Sequence, residues 1–96
     1  MRRTFAILFA LAIVCAVPSA QTRAKTLDIY IVDTEGGKAA LFVSPSGESL
    51  LIDTGNPGGR DTERIMAAIQ EAGLTQLDYV LLTHYHVDHV GGLQEL

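Results

Sequence analysis

The sequence predicts an α/β protein, and three observations carry that prediction. Two apolar runs, AALFV at 39–43 and SLLID at 49–53, flank the turn-forming stretch SPSGE and read as paired strands. A helical pattern then leads into LDYVLLT at 77–83, nearly continuously apolar, as an interior strand of a layered sheet would be. Directly after that run stand three histidines and an aspartate, in THYHVDHVGG at 83–92. The position just past the C-terminal end of a buried strand is where α/β sheets hold their chemistry.

The first residues belong to a different kind of segment. Arg2 and Arg3 make a short basic start, FAILFALAIVCAV at 5–17 is wholly apolar, and PSAQ follows with small residues. The apolar run is shorter than the ~20 residues a bilayer-spanning helix needs, so the pattern reads as a secretory signal peptide over 1–20, cleaved after Ala20. Pro18 fits the cleavage site poorly, which keeps an uncleaved anchor as the alternative. A short linker over 21–26 leads to a domain over 27–96. The expected location is the periplasm or the exterior, with no stable membrane anchor once the leader is removed.

Removing the leader also removes Cys15, the one cysteine, so neither an internal disulfide nor thiolate chemistry is available to the rest. Arg23, Lys25, Lys38, Arg60 and Arg64 then face all eleven acidic residues, a net charge of about −6. No basic patch or aromatic stacking run is present, so the sequence carries no nucleic-acid footprint. A domain of about 70 residues buries proportionately little surface and depends on its core packing or on metal.

Each element has a local reason. TLDIYIVD at 26–33 alternates with period two, placing Leu27, Ile29 and Ile31 on one face and Asp28, Tyr30 and Val32 on the other, with one face on a core. The next two runs form a hairpin, and their apolar content implies cover on both faces. TGNPGGR at 54–60 is a loop. Asp61 is the expected N-cap of a helix with Glu63 in its first turn, Ile65, Met66, Ile69 and Ala72 on one stripe, and Gly73 at its end. A further helix is expected to begin at His89 or Val90.

His84 and His86 are one residue apart, so in an extended segment their imidazoles project to the same side and can share a metal. Asp88 and His89 lie just beyond, where the chain turns, and can address a second position. Zinc accepts imidazole nitrogen and carboxylate oxygen, and paired metals are a known hydrolytic arrangement. A histidine-rich surface loop without metal is the bland alternative. Four ligand-type residues in the order HxHxDH at a strand end, followed by Gly91 and Gly92, weigh against it.

LLTHYHVDHVGG together with the upstream LLIDTG closely resembles the metallo-β-lactamase superfamily of metallohydrolases, from about Thr26 to Leu96. The hairpin region DTEGGKAALFVSPSG is similar, more weakly, to the subgroup that includes a domain of DNA-uptake competence proteins. The resemblance implies a four-layered αββα sandwich, of which this chain is the N-terminal half. It implies that His84 and His86 bind a first metal and that Asp88 and His89 bind a second, two zinc ions in the complete protein. Asp88 would also orient the bridging water or hydroxide, a catalytic role. Asp53 would hold the ligand loop in place, and Gly91 and Gly92 would let backbone and helix approach the metals closely.

The implied activity is attack of a zinc-generated hydroxide on an ester, amide, thioester, lactam or phosphodiester, with a small molecule or a phosphodiester as partner. In the superfamily the remaining ligands, further histidines and a bridging aspartate, lie well downstream of this cluster. The expectation is therefore an N-terminal fragment of a longer enzyme, with one face of its sheet uncovered. A non-catalytic, vestigial metal-binding module is the alternative.

Overall fold

Four strands and two helices follow one another as β1 (Asp28–Ile31), β2 (Ala40–Val43), β3 (Ser49–Ile52), α1 (Arg60–Glu71), β4 (Tyr79–Leu81) and α2 (Val87–Val90). The computed structural model describes residues 25–96, so the leader expected over 1–20 and most of the linker over 21–26 lie outside the described residues. No helix among the described residues is long and apolar enough to cross a membrane.

The sheet has the order β1-β2-β3-β4. β1 and β2 are antiparallel with Tyr30 opposite Leu41, and β2 and β3 are antiparallel with Leu41 opposite Leu51. The turn between β2 and β3 closes through two backbone bonds: the Ser44 N–H donates to the Glu48 carbonyl at 2.8 Å, and the Gly47 N–H to the Ser44 carbonyl at 2.9 Å. Gly47 sits at φ +93°, in the region that glycine enters at no steric cost.

β3 and β4 are parallel, with Leu51 beside Val80, and a parallel pair needs a crossover connection, here α1. Ser49 and Asp78 set where that pairing starts. The Ser49 N–H donates to Asp78 Oδ2 at 2.8 Å, and the Asp78 N–H donates to Ser49 Oγ at 2.9 Å.

One face of the sheet carries the core. Leu41, Leu51 and Ile65 are fully buried, and Val32, Ala39, Val43 and Ile69 complete the cluster around them. Burying each of the large side chains contributes about 1.5–3 kcal/mol. Tyr30, Ala68, Ala72, Leu74 and Leu77 pack at the edge of this cluster.

The structure resolves a point the sequence leaves open and corrects two expectations. In β1 it is Tyr30 and Val32 that face the core, while Leu27, Ile29 and Ile31 point away from it, Ile31 with 79% exposure. Period two distinguishes two faces, but alternation alone does not say which one meets α1. The apolar content of β2 and β3 implies cover on both faces of the sheet; among the described residues only the α1 face is covered, and Ile29, Ile31, Tyr79 and Leu81 are exposed on the other beside half-buried Phe42, Leu50 and Ile52. β4 lies at the sheet edge instead of in its interior.

The other correction concerns helix starts. α1 begins at Arg60, with Gly59 at its N-cap and no side-chain capping bond, so Asp61 lies inside the first turn. There it is buried and folds the preceding loop, accepting the Asn56 N–H at 2.8 Å, the Asn56 side-chain amide at 3.2 Å and the Arg60 guanidinium at 2.7 Å. Glu95, from the far end of the chain, covers the helix entrance: its carboxylate accepts the Gly58 N–H at 2.8 Å, the Gly59 N–H at 3.1 Å and the Thr62 hydroxyl at 2.6 Å. α2 starts at Val87, earlier than expected, so Asp88 and His89 are on the helix itself. The end of α1 follows expectation: Gly73, at φ +72°, donates to the Gln70 carbonyl at 3.0 Å just past the C-cap Ala72.

Burial raises the pKa of Asp61, but the bonds from Asn56 and Arg60 outweigh it, and the net shift is downward. A depressed carboxylate stabilises the fold above its unfolded pKa of about 3.9, and that contribution is lost as pH falls through the lower folded value. Asp61→Asn is therefore expected to cost about 1–2 kcal/mol at pH 7. In urea denaturation series the gap between variant and parent should begin to narrow below about pH 4 and close once the pH has fallen past the lower folded value, where the native carboxyl protonates. A gap that persists at low pH would assign the cost to packing instead.

Candidate metal centre

The C-terminal ends of the parallel strands β3 and β4 meet at one carboxylate. Asp53 follows β3 directly, is fully buried, and adopts φ +60°, a left-handed conformation that aspartate tolerates better than most residues. Its N–H continues the ladder to the Leu81 carbonyl at 2.9 Å. Its Oδ1 accepts the Thr83 N–H at 2.8 Å, and its Oδ2 accepts both the Thr83 hydroxyl at 2.7 Å and His89 Nδ1 at 2.8 Å. Burial pushes the Asp53 pKa up; the His89 and Thr83 bonds together push it further down, so the carboxyl stays ionised. An ionised carboxylate only accepts, and the proton of His89 therefore lies on Nδ1.

The backbone repeats the same join. The Thr54 N–H donates to the His89 carbonyl at 2.7 Å, the Thr54 hydroxyl reaches the same carbonyl at 3.2 Å, and the Gly91 N–H donates to the Gly55 carbonyl at 2.9 Å. These contacts bring α2 so close to the 54–57 loop that side chains do not fit between them. A Cβ on Gly91 would stand 2.2 Å from Pro57 Cδ, and one on Gly92 would stand 2.4 Å from the Thr54 carbonyl oxygen. Gly37 does the same from the other side, since a Cβ there would meet the Asp88 carbonyl oxygen at 2.0 Å.

The four ligand-type residues are neighbours. The His84 ring centroid lies 4.7 Å from that of His86, edge-on, and 4.0 Å from that of His89. His89 Nε2 lies 3.8 Å from Asp88 Oδ2. His84 thus lies beside both other imidazoles, and the ring placement does not by itself divide the four residues into two positions. Among the described residues no group of three or more such side chains is gathered closely enough to hold an ion.

The residues nonetheless suit the metals the sequence implies. Two donors on one tetrahedral zinc, each about 2.0–2.2 Å from it, are about 3.4 Å apart, so the 3.8 Å between His89 Nε2 and Asp88 Oδ2 requires only a small side-chain adjustment. His89 presents the pattern of a metal-binding histidine, with one ring nitrogen held by a carboxylate and the other free to ligate. A neutral imidazole and a carboxylate are both zinc donors, and a catalytic zinc takes three protein ligands, whereas His84 and His86 alone make two.

Sequence reasoning missed three residues that hold this arrangement. Thr83 reads in the sequence only as the end of an apolar run, although a hydroxyl between that run and the first histidine is itself a signal. Glu95 and Gly37 carried none, since their partners are distant in sequence.

The family model described as the metallo-beta-lactamase superfamily matches residues 33–96. Similar proteins include an atrochrysone carboxyl ACP thioesterase from Aspergillus terreus, 38% identical over 62% of this chain and 18% of its own length. A ribonuclease Z from Nanoarchaeum equitans is 36% identical over 68% of this chain and 21% of its own. A hydroxyacylglutathione hydrolase from Xanthomonas axonopodis pv. citri is 41% identical over 57% of this chain and 19% of its own. The chain thus spans about a fifth of the length of these curated relatives, which are hydrolases. No solved structure matches. The likeness reaches the superfamily. With the HxHxDH loop joined to the DTG turn through Asp53, and the family model covering both, the chain belongs to the metallo-beta-lactamase superfamily.

Proposed function

We propose that this chain supplies the first half of a dinuclear zinc hydrolase centre. His84 and His86 serve one metal, and Asp88 and His89 the other. The observation that carries this reading is the buried Asp53 carboxylate on His89 Nδ1, which turns the free Nε2 toward Asp88 Oδ2. Bound zinc would supply Lewis-acid polarisation of the bond under attack and acidify a water molecule. Asp88, 36% exposed and not tied down by the Asp53 network, is free to orient a water molecule beside the histidines.

The substrate class is an ester, amide, thioester, lactam or phosphodiester. Relatives named as a thioesterase, as hydroxyacylglutathione hydrolase and as ribonuclease Z support both the carbonyl and the phosphodiester branches of that range. The excess of acidic residues favours small substrates over nucleic acid.

A vestigial, non-catalytic module has one observation in its favour, the lack of any three donors gathered together among the described residues. Zinc titration with parallel hydrolysis assays separates the readings. The expected result is zinc uptake by the chain, lowered about 10–100-fold by Asp53→Asn, without turnover until a further ligand is provided. Failure of the parent chain to take up zinc would remove the metal-centre reading.

We also propose that the chain is exported, on the strength of the basic start at Arg2 and Arg3 and the apolar run that follows. Mass spectrometry of the protein made in a bacterial host should find a new N-terminus at Gln21 in the extracytoplasmic fraction. An intact Met1 or Arg2 in the cytoplasm would overturn the proposal.

A further inference from the structure

The Asp53 carboxylate reaches a second histidine through Thr83. Thr83 Oγ1 lies 2.7 Å from Asp53 Oδ2 and 2.9 Å from His84 Nδ1. A hydroxyl has one proton, and an ionised carboxylate can only accept, so that proton goes to Asp53. Toward His84 the oxygen can then only accept, which places the His84 proton on Nδ1 and leaves Nε2 with its lone pair bare.

We propose that Thr83 is a positioning residue, a one-hydroxyl relay by which Asp53 sets the tautomer and ring orientation of His84 as it directly sets those of His89. One buried carboxylate thereby orients an imidazole for each metal position, which makes the relay rest on the two-position reading of the centre. The relay is local in construction. Thr83 and His84 are adjacent, the Thr83 N–H is itself bound to Asp53 Oδ1 at 2.8 Å, and the hydroxyl has two partners at hydrogen-bond distance from one rotamer. Ligating histidines commonly have the second ring nitrogen held in this way, and loss of such a partner costs about 10–100-fold in metal affinity.

The test uses the zinc-free chain at pH 8. Long-range proton–nitrogen NMR correlations of the histidine rings read the tautomer of His84, with His89 as an internal reference for the intact Asp53 contact. The parent chain should show both histidines protonated on Nδ1. Thr83→Val, which keeps the shape and removes the hydroxyl, should move His84 toward a mixture of tautomers and leave His89 unchanged. Thr83→Ser should restore the parent pattern, a rescue that a purely steric role for the threonine methyl would not produce.

Zinc titration of the same three proteins should show a loss of about 10–100-fold for Thr83→Val and none for Thr83→Ser. A parent His84 protonated on Nε2 overturns the relay outright, even if Thr83→Val fails to fold. An unchanged tautomer in Thr83→Val with His89 intact does the same. A parent chain with the Nδ1 tautomer that binds no zinc upholds the relay and removes the metal-centre reading, so the two failures are distinguishable.

Discussion

The arrangement depends on a buried negative charge. Asp53 has no exposure to solvent, and an ionised carboxylate left unpaired there would be strongly unfavourable. Three bonds from Thr83 and His89 satisfy it, and each is possible only if β4 ends at the correct height beside β3 and α2 folds back over the 54–57 loop. The positive φ at Asp53 costs roughly 1–2 kcal/mol for a residue other than glycine. That conformation turns the chain sharply out of β3 and aims the carboxylate across to β4. The fold around the site is therefore fixed by charge satisfaction more than by apolar packing.

Much of this was readable in advance, and the reasons are physical. The hairpin announced itself through apolar runs around a proline and glycine turn, α1 through the spacing of Ile65 and Ile69, and the site through ligand types that seldom occur together at a strand end. The face of β1 is not readable, because Leu27, Ile29 and Ile31 make the more apolar row, yet Tyr30 and Val32 are the ones that pack with Ile65 and its neighbours on α1. Asp61 looked like an N-cap because aspartate before an apolar helical stripe usually is one. Its actual work, binding Asn56, becomes visible only when the loop is folded. Glu95 lay beyond local reasoning altogether, since the amides it accepts belong to Gly58 and Gly59.

The sheet has two unequal faces, and the difference locates the site. On the α1 side the core closes around Leu41, Leu51 and Ile65. On the other side Ile29, Ile31, Tyr79 and Leu81 form an exposed apolar surface, larger in character than scattered single residues and of the kind that marks a contact surface. The loop that carries His84, His86 and His89 emerges at the strand ends between these two faces. It is anchored from the covered side, through Asp53 and Thr54, while its imidazoles stand at the sheet's rim.

Buried polar residues are nearly as prominent in the interior as apolar ones, and their positions explain why the loop can be rigid on a small core. Ser49, Asp53, Thr54, Asp61 and Thr62 are all buried, and each is bonded to a segment that apolar packing does not hold: Ser49 to the start of β4, Asp53 and Thr54 to α2, Asp61 to the 54–59 loop, Thr62 to Glu95. No buried side-chain polar atom among the described residues lacks a partner. Hydrogen bonds are directional where hydrophobic contact is not, so these pairings tolerate less sliding than an equal area of apolar packing would. A four-residue helix such as α2 is too short to persist on its own. It is held because its carbonyl at His89, its imidazole and the amide of Gly91 all have fixed partners in the turn after β3, and that turn keeps its shape because Asp61 and Glu95 hold it from the helix side.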